Sequence, residues 1–410
     1  MTNEEILDKC VIGEKYYTNE DLRYNKQYGI LLNKQALDNF IEYKENIKHK
    51  LKKEMPLISW NSKKIFYYNS TELLGVIKDF LEYHLNDLKK NNATYIGRNP
   101  DDFIVGTVCS ELEGTLKIEG VNTTRRQIAD IIKKEFPSDI NQRIVINMYK
   151  GLKYIFEVDD FNKDTLKELY NILSDKCLKD EDLLNDRYYR NDMVYIASHN
   201  GCPVDKIEDC MNSLFNYVNE VLKSDDAISK ICLPFIAHYY IVYIHPYFDY
   251  NGRIARMVQL WLMRLTNCLL IGLSEAINDN KNDYYKAIDN TRYSKNDLTY
   301  FLIYLFKLQN NYALIQKNIE DINNNVMNSG ESLSANEIHY LKRIIHNKDK
   351  VLWFNYKRFM ELEGLDITKQ GALKILNKFE SFGFLETKIN SKKEKIFKLN
   401  ESILKYESKE

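Results

Sequence analysis

Residues 245–256 bring together several side chains that could act on a phosphorylated ligand. His245 can serve as a general base near neutral pH, and Asp249 offers the hard carboxylate oxygens that suit Mg²⁺. Arg253 and Arg256 are three positions apart, so a helix would place both on one face, where each can bind phosphate oxygens. A base, a metal ligand and two arginines together indicate a nucleoside triphosphate site. For any one of these residues alone, the alternative is a solvated polar turn.

Two strongly apolar segments, 231–244 and 257–265, flank this stretch. Each is long enough for a buried helix, and neither alternates in polarity as a strand would. The sequence therefore predicts a helix–loop–helix in which Asn251 and Gly252 begin the second helix. Free backbone N–H groups at a helix start attract anions, and a glycine there lets the backbone approach a phosphate closely.

The stretch resembles the Fic motif, His-x-Phe-x-Asp/Glu-Gly-Asn-Gly-Arg-x-x-Arg. The resemblance implies nucleotidyl transfer, usually of AMP from ATP, to a hydroxyl side chain of a protein. It makes His245 the base that deprotonates the target hydroxyl and Asp249 the Mg²⁺ ligand. The residues that match the family's anion hole and triphosphate-binding arginines are Asn251, Gly252, Arg253 and Arg256.

Two positions depart from the motif: Tyr247 replaces the usual phenylalanine, and Tyr250 replaces the first glycine of Gly-Asn-Gly. Tyr247 is a mild change because that ring is expected to pack inward. If position 250 needs a positive φ, a tyrosine there is costly. The departure leaves the charged groups intact, but it puts the rate of transfer and the identity of the transferred group in question.

A second stretch, 110–120, predicts a helix that ends at Gly120. Glu119 falls in its last turn, where a carboxylate opposes the helix dipole, so we expect a cationic partner. The alternative is a solvated surface charge. The segment 115–120 also resembles the inhibitory signature of Fic proteins, Ser/Thr-x-x-x-Glu-Gly/Asn, in its place upstream of the motif. The resemblance implies that Glu119 pairs with Arg256 and blocks placement of the γ-phosphate.

Between these two stretches, residues 193–197 predict a short strand, and Asn200 with Gly201 predicts the turn of a hairpin. An open hairpin edge can pair with an extended peptide. In the family, a hairpin flap at this place clamps the target segment. The resemblance thus assigns target binding to Val194, Tyr195 and Ile196, and a purely structural hairpin is the alternative.

After the motif, residues 283–288 contain a Tyr-Tyr-x-Ala pattern that resembles the family segment bordering the nucleotide base. The resemblance implies that Tyr284 or Tyr285 stacks on adenine. Aromatic pairs at a helix start also serve as core residues, which is the alternative.

The composition of the 410 residues sets broader limits. Lys and Arg number 58 against 59 Asp and Glu, so no global charge attracts nucleic acid or any other partner. Seven scattered cysteines without a C-x-x-C pair, and a start without a signal peptide, predict a reduced, cytoplasmic protein. Polar groups such as Arg264 and Asn267 interrupt the apolar runs, so no membrane span is expected. Six prolines and helical periodicity predict a mainly α protein.

The predicted organisation has three parts: a helical extension over 1–95, a Fic catalytic domain over 96–325 and a third domain over 326–410. In the extension, a hairpin is predicted around residues 61–62 between two helices. The extension is expected to pack on the catalytic domain or to form an oligomer contact. The polar stretch 323–332 predicts the linker to the third domain.

The third domain predicts three helices followed by two strands around a basic tip, an order that resembles a winged helix-turn-helix domain. DNA and a protein are equally good partners for such a domain. The residues that the resemblance places toward DNA are Thr368, Lys369, Gln370, Lys374, Lys392 and Lys393.

The sequence thus predicts a Mg²⁺-dependent protein adenylyltransferase that uses ATP, modifies another protein or itself, and is inhibited by Glu119. One alternative is a catalytically weak nucleotide sensor that controls a DNA-bound winged helix. Another is a Fic enzyme that removes AMP or transfers a different nucleotide.

Overall fold

The computed structural model describes the following residues. They are 1–60, 64–83, 111–121, 123, 125–134, 136–196, 199–268, 273–348, 351–361 and 367–405. The fold is mainly helical with small β-hairpins, as predicted. The chain forms two compact units, 1–309 and 310–410. The functional divisions at residues 95 and 325 stay predictions.

The first unit begins with helices and a hairpin. The elements are α1 (Asn3–Ile12), α2 (Asn19–Tyr24), α3 (Lys34–Asn46), β1 (Lys52–Ile58), β2 (Lys64–Tyr68) and α4 (71–83). The strands β1 and β2 are antiparallel, with Lys52 opposite Tyr68. The hairpin confirms the predicted type of element, and its tip at 61–63 lies outside the described residues.

Ten further helices follow among the described residues of the first unit. They are α5 (111–118), α6 (Arg125–Ile132), α7 (Ile140–Glu157), α8 (Lys163–Ser174), α9 (Val204–Lys223), α10 (Ala227–Ile244), α11 (Asn251–Leu265), α12 (Leu273–Asp279), α13 (Lys281–Tyr293) and α14 (Thr299–Asn328), which continues into the second unit. The predicted helix–loop–helix corresponds to α10 and α11. By length and composition alone α10 could cross a membrane, but 78% of it is buried inside the protein, as is usual for a core helix.

A short hairpin lies between α8 and α9. Its strands have two residues each, β3 (Tyr195–Ile196) and β4 (His199–Asn200). The prediction of a turn at Asn200 and Gly201 is wrong, because Asn200 pairs with Tyr195 and the Gly201 N–H donates to the Val194 carbonyl over 2.9 Å. The connection lies at 197–198, outside the described residues. Cross-strand pairing, rather than the Asn-Gly dipeptide, sets this register.

The second unit contains the end of α14 and a small α/β arrangement. Its elements are α15 (Ala335–His346), α16 (Tyr356–Glu361), α17 (Lys369–Ser381), β5 (Leu385–Ile389) and β6 (Lys395–Leu399). The two strands are antiparallel, and their apolar residues join the helices in one core. The predicted linker at 323–332 is wrong in its first half, because α14 remains helical to Asn328 and ends before Gly330, which has φ 81°.

Candidate active site

The loop between α10 and α11 holds two residues in the left-handed region. His245 has φ 55° and ψ 61°, and Tyr250 has φ 70° and ψ 2°. Each non-glycine residue in this region costs on the order of 1 kcal/mol. The side chain of Asn251 closes the loop, because it accepts from the Tyr247 N–H (3.0 Å) and donates to the Tyr247 carbonyl (2.9 Å). Because Tyr250 has a positive φ, the backbone strain expected for a tyrosine at this position is present.

Packing from α8 holds this loop in place. The Tyr247 ring is buried and stacks on Tyr170, with ring centroids 4.1 Å apart and an interplanar angle of 15°. This agrees with the expectation that the side chain at position 247 points inward.

Arg253 and Arg256 lie one turn apart in the first turns of α11, and both are buried. The Arg253 guanidinium stacks over the Tyr250 ring, 3.3 Å from its centroid, and its Nη2 lies 3.3 Å from an Asp249 oxygen. Among the described residues, Arg253 Nε is buried without a hydrogen-bond partner. A buried, unsatisfied N–H is a suitable donor for an incoming phosphate oxygen.

Asp249 is the one acidic side chain of the loop, and it is 53% exposed. Its Oδ1 accepts the Tyr250 N–H over 2.6 Å. The described residues contain no cluster of three or more potential metal ligands. Mg²⁺ commonly binds through one or two carboxylates together with substrate phosphates and water, so this single exposed carboxylate fits a shared Mg²⁺ site.

The structure brings Glu119 and Arg256 together. Glu119 Oε1 lies 2.5 Å from Arg256 Nη2, and Arg256 Nε donates to Thr115 Oγ1 over 2.6 Å. Burial by itself would raise the pKa of the Glu119 carboxyl, but the charge and hydrogen bond of Arg256 outweigh it, and the net pKa is lowered. Glu119 is therefore ionised at neutral pH and paired with one of the two arginines in the first turns of α11.

Gly252 makes this pairing sterically possible. A Cβ on Gly252 would lie 2.9 Å from Glu119 Oε1 and 3.2 Å from Arg256 Nη1. The Glu119 carboxylate thus lies against the first turn of α11, where the helix dipole and free N–H groups favour an anion. In the place predicted for a substrate phosphate, the structure has a carboxylate of the same chain.

The helix α5, which carries Glu119 just beyond its end, is docked on α12 and α13 at three points. The Glu111 carboxylate accepts the Ser274 N–H (3.1 and 3.3 Å). A Cβ on Gly114 would lie 2.3 Å from the Glu275 nitrogen, so only glycine allows this approach. Lys281 Nζ donates to the Ile118 carbonyl over 2.6 Å at the end of α5.

Sequence reasoning missed this docking. The available indication was Gly114 itself, because a glycine in a helix interior is unfavourable and often marks a close packing contact.

The two tyrosines proposed to border a nucleotide base have different surroundings. Tyr284 is buried, and its hydroxyl lies 2.7 Å from His238 Nε2. Burial lowers the pKa of His238 to about 3, so this histidine is neutral. Tyr285 is 47% exposed. Of the pair, Tyr285 is the ring that a ligand can reach, and Tyr284 is a core residue. No sequence motif around His238 predicts its contact with Tyr284.

The hairpin predicted to bind the target presents its residues unequally. Tyr195 is 83% exposed, whereas Val194 and Ile196 are half-buried. A buried arginine that sequence reasoning missed, Arg190, connects the base of this hairpin to the carbonyl of His245 over 2.8 Å. A direct hydrogen bond thus joins the residues next to the hairpin to the start of the loop.

Residues 160–263 match the sequence model of the Fic/DOC family. The match contains the hairpin, His245 and both arginines, whereas Glu119 lies upstream of it. Fic-domain proteins generally modify proteins by transferring nucleotides. The matched segment of this chain is therefore similar in sequence to Fic/DOC domains.

One solved structure shares the fold but is distant in sequence. A Fic family protein from Desulfovibrio desulfuricans G20 is 15% identical, with 82% of this chain and 97% of that chain covered and a TM-score of 0.50. At this identity the likeness establishes a shared fold.

Two further structures match less closely. Fic-1 (residues 134–508) from C. elegans is 20% identical over 59% of this chain and 69% of that chain, with a TM-score of 0.42. A Fic domain containing signaling protein from Bacteroides thetaiotaomicron VPI-5482 is 17% identical over 60% and 95%, with a TM-score of 0.41.

Proposed function

We propose that this chain is a Mg²⁺-dependent protein adenylyltransferase of the cytoplasm that transfers AMP from ATP to a Ser, Thr or Tyr hydroxyl. We propose further that Glu119 keeps it inhibited. The observation that carries the proposal is the Glu119 carboxylate, which lies against the start of α11 and 2.5 Å from Arg256. A position that holds one anion in this way is suited to a phosphate once Glu119 leaves.

In the proposed reaction, His245 takes the proton of the target hydroxyl, whose oxygen attacks the α-phosphorus of ATP. The bond from the α-phosphorus to the bridging oxygen breaks, and pyrophosphate leaves. The N–H groups at Asn251 and Gly252, with Arg253 and Arg256, hold the departing phosphates. Asp249 would hold Mg²⁺, which supplies charge neutralisation to the phosphates when it is bound. The edge of the hairpin at 194–196 positions the target segment by strand addition.

Transfer from ATP labelled at the α-phosphate tests this proposal, with the chain itself and a cell lysate as acceptors. We expect little label with the wild type, strong label with Glu119→Gly, and none with Glu119→Gly combined with His245→Ala. The control is Glu181→Gly, which removes an exposed carboxylate far along the chain from the motif and should behave as the wild type. An unchanged rate in Glu119→Gly would argue against inhibition by this residue.

A nucleotide sensor is the second candidate, and one observation favours it. The Tyr250 ring covers the guanidinium of Arg253. One of the two arginines proposed to bind phosphate is therefore already in contact with a side chain of the protein. We propose for this case that residues 326–410 act as a winged helix that binds DNA. The sensor predicts ATP binding without label in any variant, together with retention on DNA that changes with nucleotide. Label lost from a premodified target, or label from another nucleotide, would instead point to a different Fic reaction.

A further inference from the structure

Arg190 lies just before the hairpin and is almost fully buried, with 2% of its surface exposed. Its Nε donates to the His245 carbonyl over 2.8 Å. Its Nη1 donates to the Asp192 carbonyl over 2.6 Å, and its Nη2 donates to the Cys202 carbonyl over 2.5 Å. All three acceptors are main-chain groups, so the guanidinium acts on backbone position rather than on a side-chain charge.

The three carbonyls belong to three separate parts of the site. Asp192 precedes β3, Cys202 follows β4, and His245 begins the loop of the Fic motif. A planar guanidinium with donors in fixed directions sets the distances between its acceptors, which a flexible ammonium cannot do. Two backbone hydrogen bonds run in parallel, from the Arg190 N–H to the Pro246 carbonyl (3.0 Å) and from the Cys202 N–H to the Ile244 carbonyl (3.3 Å).

The carbonyl of His245 has a special need for this donor. His245 ends α10 in the left-handed conformation, so its carbonyl lies among those that find no partner within the helix. A cation at a helix C-terminus is also favourable. Arg190 therefore gives this partly buried carbonyl a partner and helps to hold the left-handed backbone at His245.

We propose that Arg190 is a positioning residue that fixes the target-binding hairpin and His245 at one distance from each other. This inference rests on the proposed transfer reaction, in which the hairpin holds the hydroxyl and His245 takes its proton. A displacement of about 1 Å between reacting groups can lower a rate by on the order of 100-fold. Close packing supports the role, because a Cβ on Gly201 would lie 3.0 Å from Arg190 Nη2 and 2.8 Å from Val194 Cγ2.

The test uses the full chain with Glu119→Gly as background, and adds Arg190→Gln, Arg190→Lys or the control Arg187→Gln. Arg187 is an exposed arginine three positions upstream. Label from α-labelled ATP is measured together with the stoichiometry and affinity of ATP binding. We expect Arg190→Gln to lower labelling at least about tenfold while ATP still binds one per chain with unchanged affinity. Arg190→Lys, which keeps the charge, should lie between, and Arg187→Gln should match the background.

Equal labelling in Arg190→Gln and the background would overturn the proposal. So would a parallel loss of labelling and ATP binding, because that pattern means general unfolding.

Amide hydrogen exchange separates this proposal from the proposed function. The N–H groups of Gly201 and Cys202, bonded to Val194 and Ile244, should exchange faster in Arg190→Gln while the amides of α7 stay protected. If the background variant itself gives no label, the adenylyltransferase proposal has failed, and the exchange result alone decides on Arg190. Unchanged protection at Gly201 and Cys202 would then refute the role.

Discussion

Two ion pairs of the first unit, Lys44–Asp297 and Glu119–Arg256, differ in their access to water. Lys44 and Asp297 are 2.9 Å apart, and their side chains are 1% and 0% exposed. Arg256 is 5% exposed, but its partner Glu119 is 29% exposed. The first pair is closed to solvent from every side, and the second is open on the side of its carboxylate.

The surroundings of the first pair are fully hydrogen-bonded. Asp297 accepts from the Tyr16 hydroxyl (2.6 Å) and from the Thr299 hydroxyl (2.6 Å), and Lys44 donates to the Tyr300 hydroxyl (2.9 Å). These contacts join α3 and the N-terminal residues to Asp297 and the first residues of α14. A buried pair satisfied in this way is a fixed structural connection, since either partner left alone would be a buried charge.

The second pair has fewer constraints. Glu119 lies beyond the end of α5, and its contacts are made to one residue of α11 and across Gly252. When this pair breaks, the Glu119 carboxylate can turn toward water, and Arg256 keeps its hydrogen bond to Thr115. The same type of ion pair is therefore a fixed structural contact where water is excluded and a contact that can separate at the candidate site.

The largest effect is expected for Lys44→Met, which leaves Asp297 without its cation. We expect a loss of about 3–5 kcal/mol in the free energy of unfolding, because an uncompensated buried charge remains. Denaturant unfolding of the whole chain measures it. The control is Lys15→Met, since Lys15 pairs with Asp21 but is 37% exposed, and it should cost less than about 1 kcal/mol. Similar losses in the two variants would show that burial does not make the Lys44–Asp297 pair more important for stability than an exposed pair.

An intermediate effect is expected for Gly114→Ala. The added Cβ would meet the backbone of Ser274 and Glu275 within 2.7 Å, so α5 must shift away from α12. We expect a loss of about 1–3 kcal/mol, typical of overpacking, with faster amide exchange in 111–118 and increased AMP transfer. Gly75→Ala in α4 is the matched control, because its Cβ meets nothing within 4 Å and alanine favours a helix. A wild-type exchange pattern in Gly114→Ala would show that the docking of α5 tolerates a side chain.

A small effect on stability is expected for Glu119→Gln. Glutamine can still accept a hydrogen bond from Arg256, which also keeps its bond to Thr115, so the loss in the free energy of unfolding should be less than about 1 kcal/mol, while AMP transfer rises. Unfolding and labelling are measured on the same preparation. A stability loss as large as that of Lys44→Met would place this pair in the same class as the buried one.

The smallest effect is expected when pH is varied near neutrality, because the inhibition by Glu119 should not change there. The pKa of Glu119 is lowered by Arg256, so the pair is complete above the ordinary carboxyl range and is lost only as pH falls through the lowered value. The ratio of labelling by Glu119→Gln to labelling by wild type should therefore stay constant between about pH 6 and about pH 9. A ratio that falls toward 1 within this interval would mean that a group other than Glu119 controls access.

Local features of the chain were predictable from sequence. Apolar flanks and a turn predict α10 and α11, and Gly120, which has φ 82°, ends the helical region before it as expected. Ser334 begins α15 with a capping box. Such features depend on neighbours within a few residues, which the sequence displays directly.

Long-range features were not predictable. Arg190 binds carbonyls up to 55 residues away, and Lys281 caps a helix 163 residues upstream. No spacing rule connects such positions without an alignment. The prediction of the hairpin turn was wrong for a related reason. The pairing of Tyr195 with Asn200 outweighs the turn preference of the Asn-Gly dipeptide. A side chain that binds a distant main-chain carbonyl cannot be recognised from the residue types of its partners, because every residue has a carbonyl group.

The connection between the N-terminal residues and the segment before α14 also has a consequence for synthesis. Lys44 and Asp297 are 253 residues apart, and β2 completes its edge with the same segment, through Leu298 N–H to the Phe66 carbonyl (2.8 Å). A ribosome that adds about 5–20 residues per second needs roughly 10–50 s to make that stretch. During this time the nascent chain carries a strand with an unpaired edge, the kind of surface that other chains and chaperones bind. The order of translation, and not only the final fold, therefore determines how long this part of the protein is exposed.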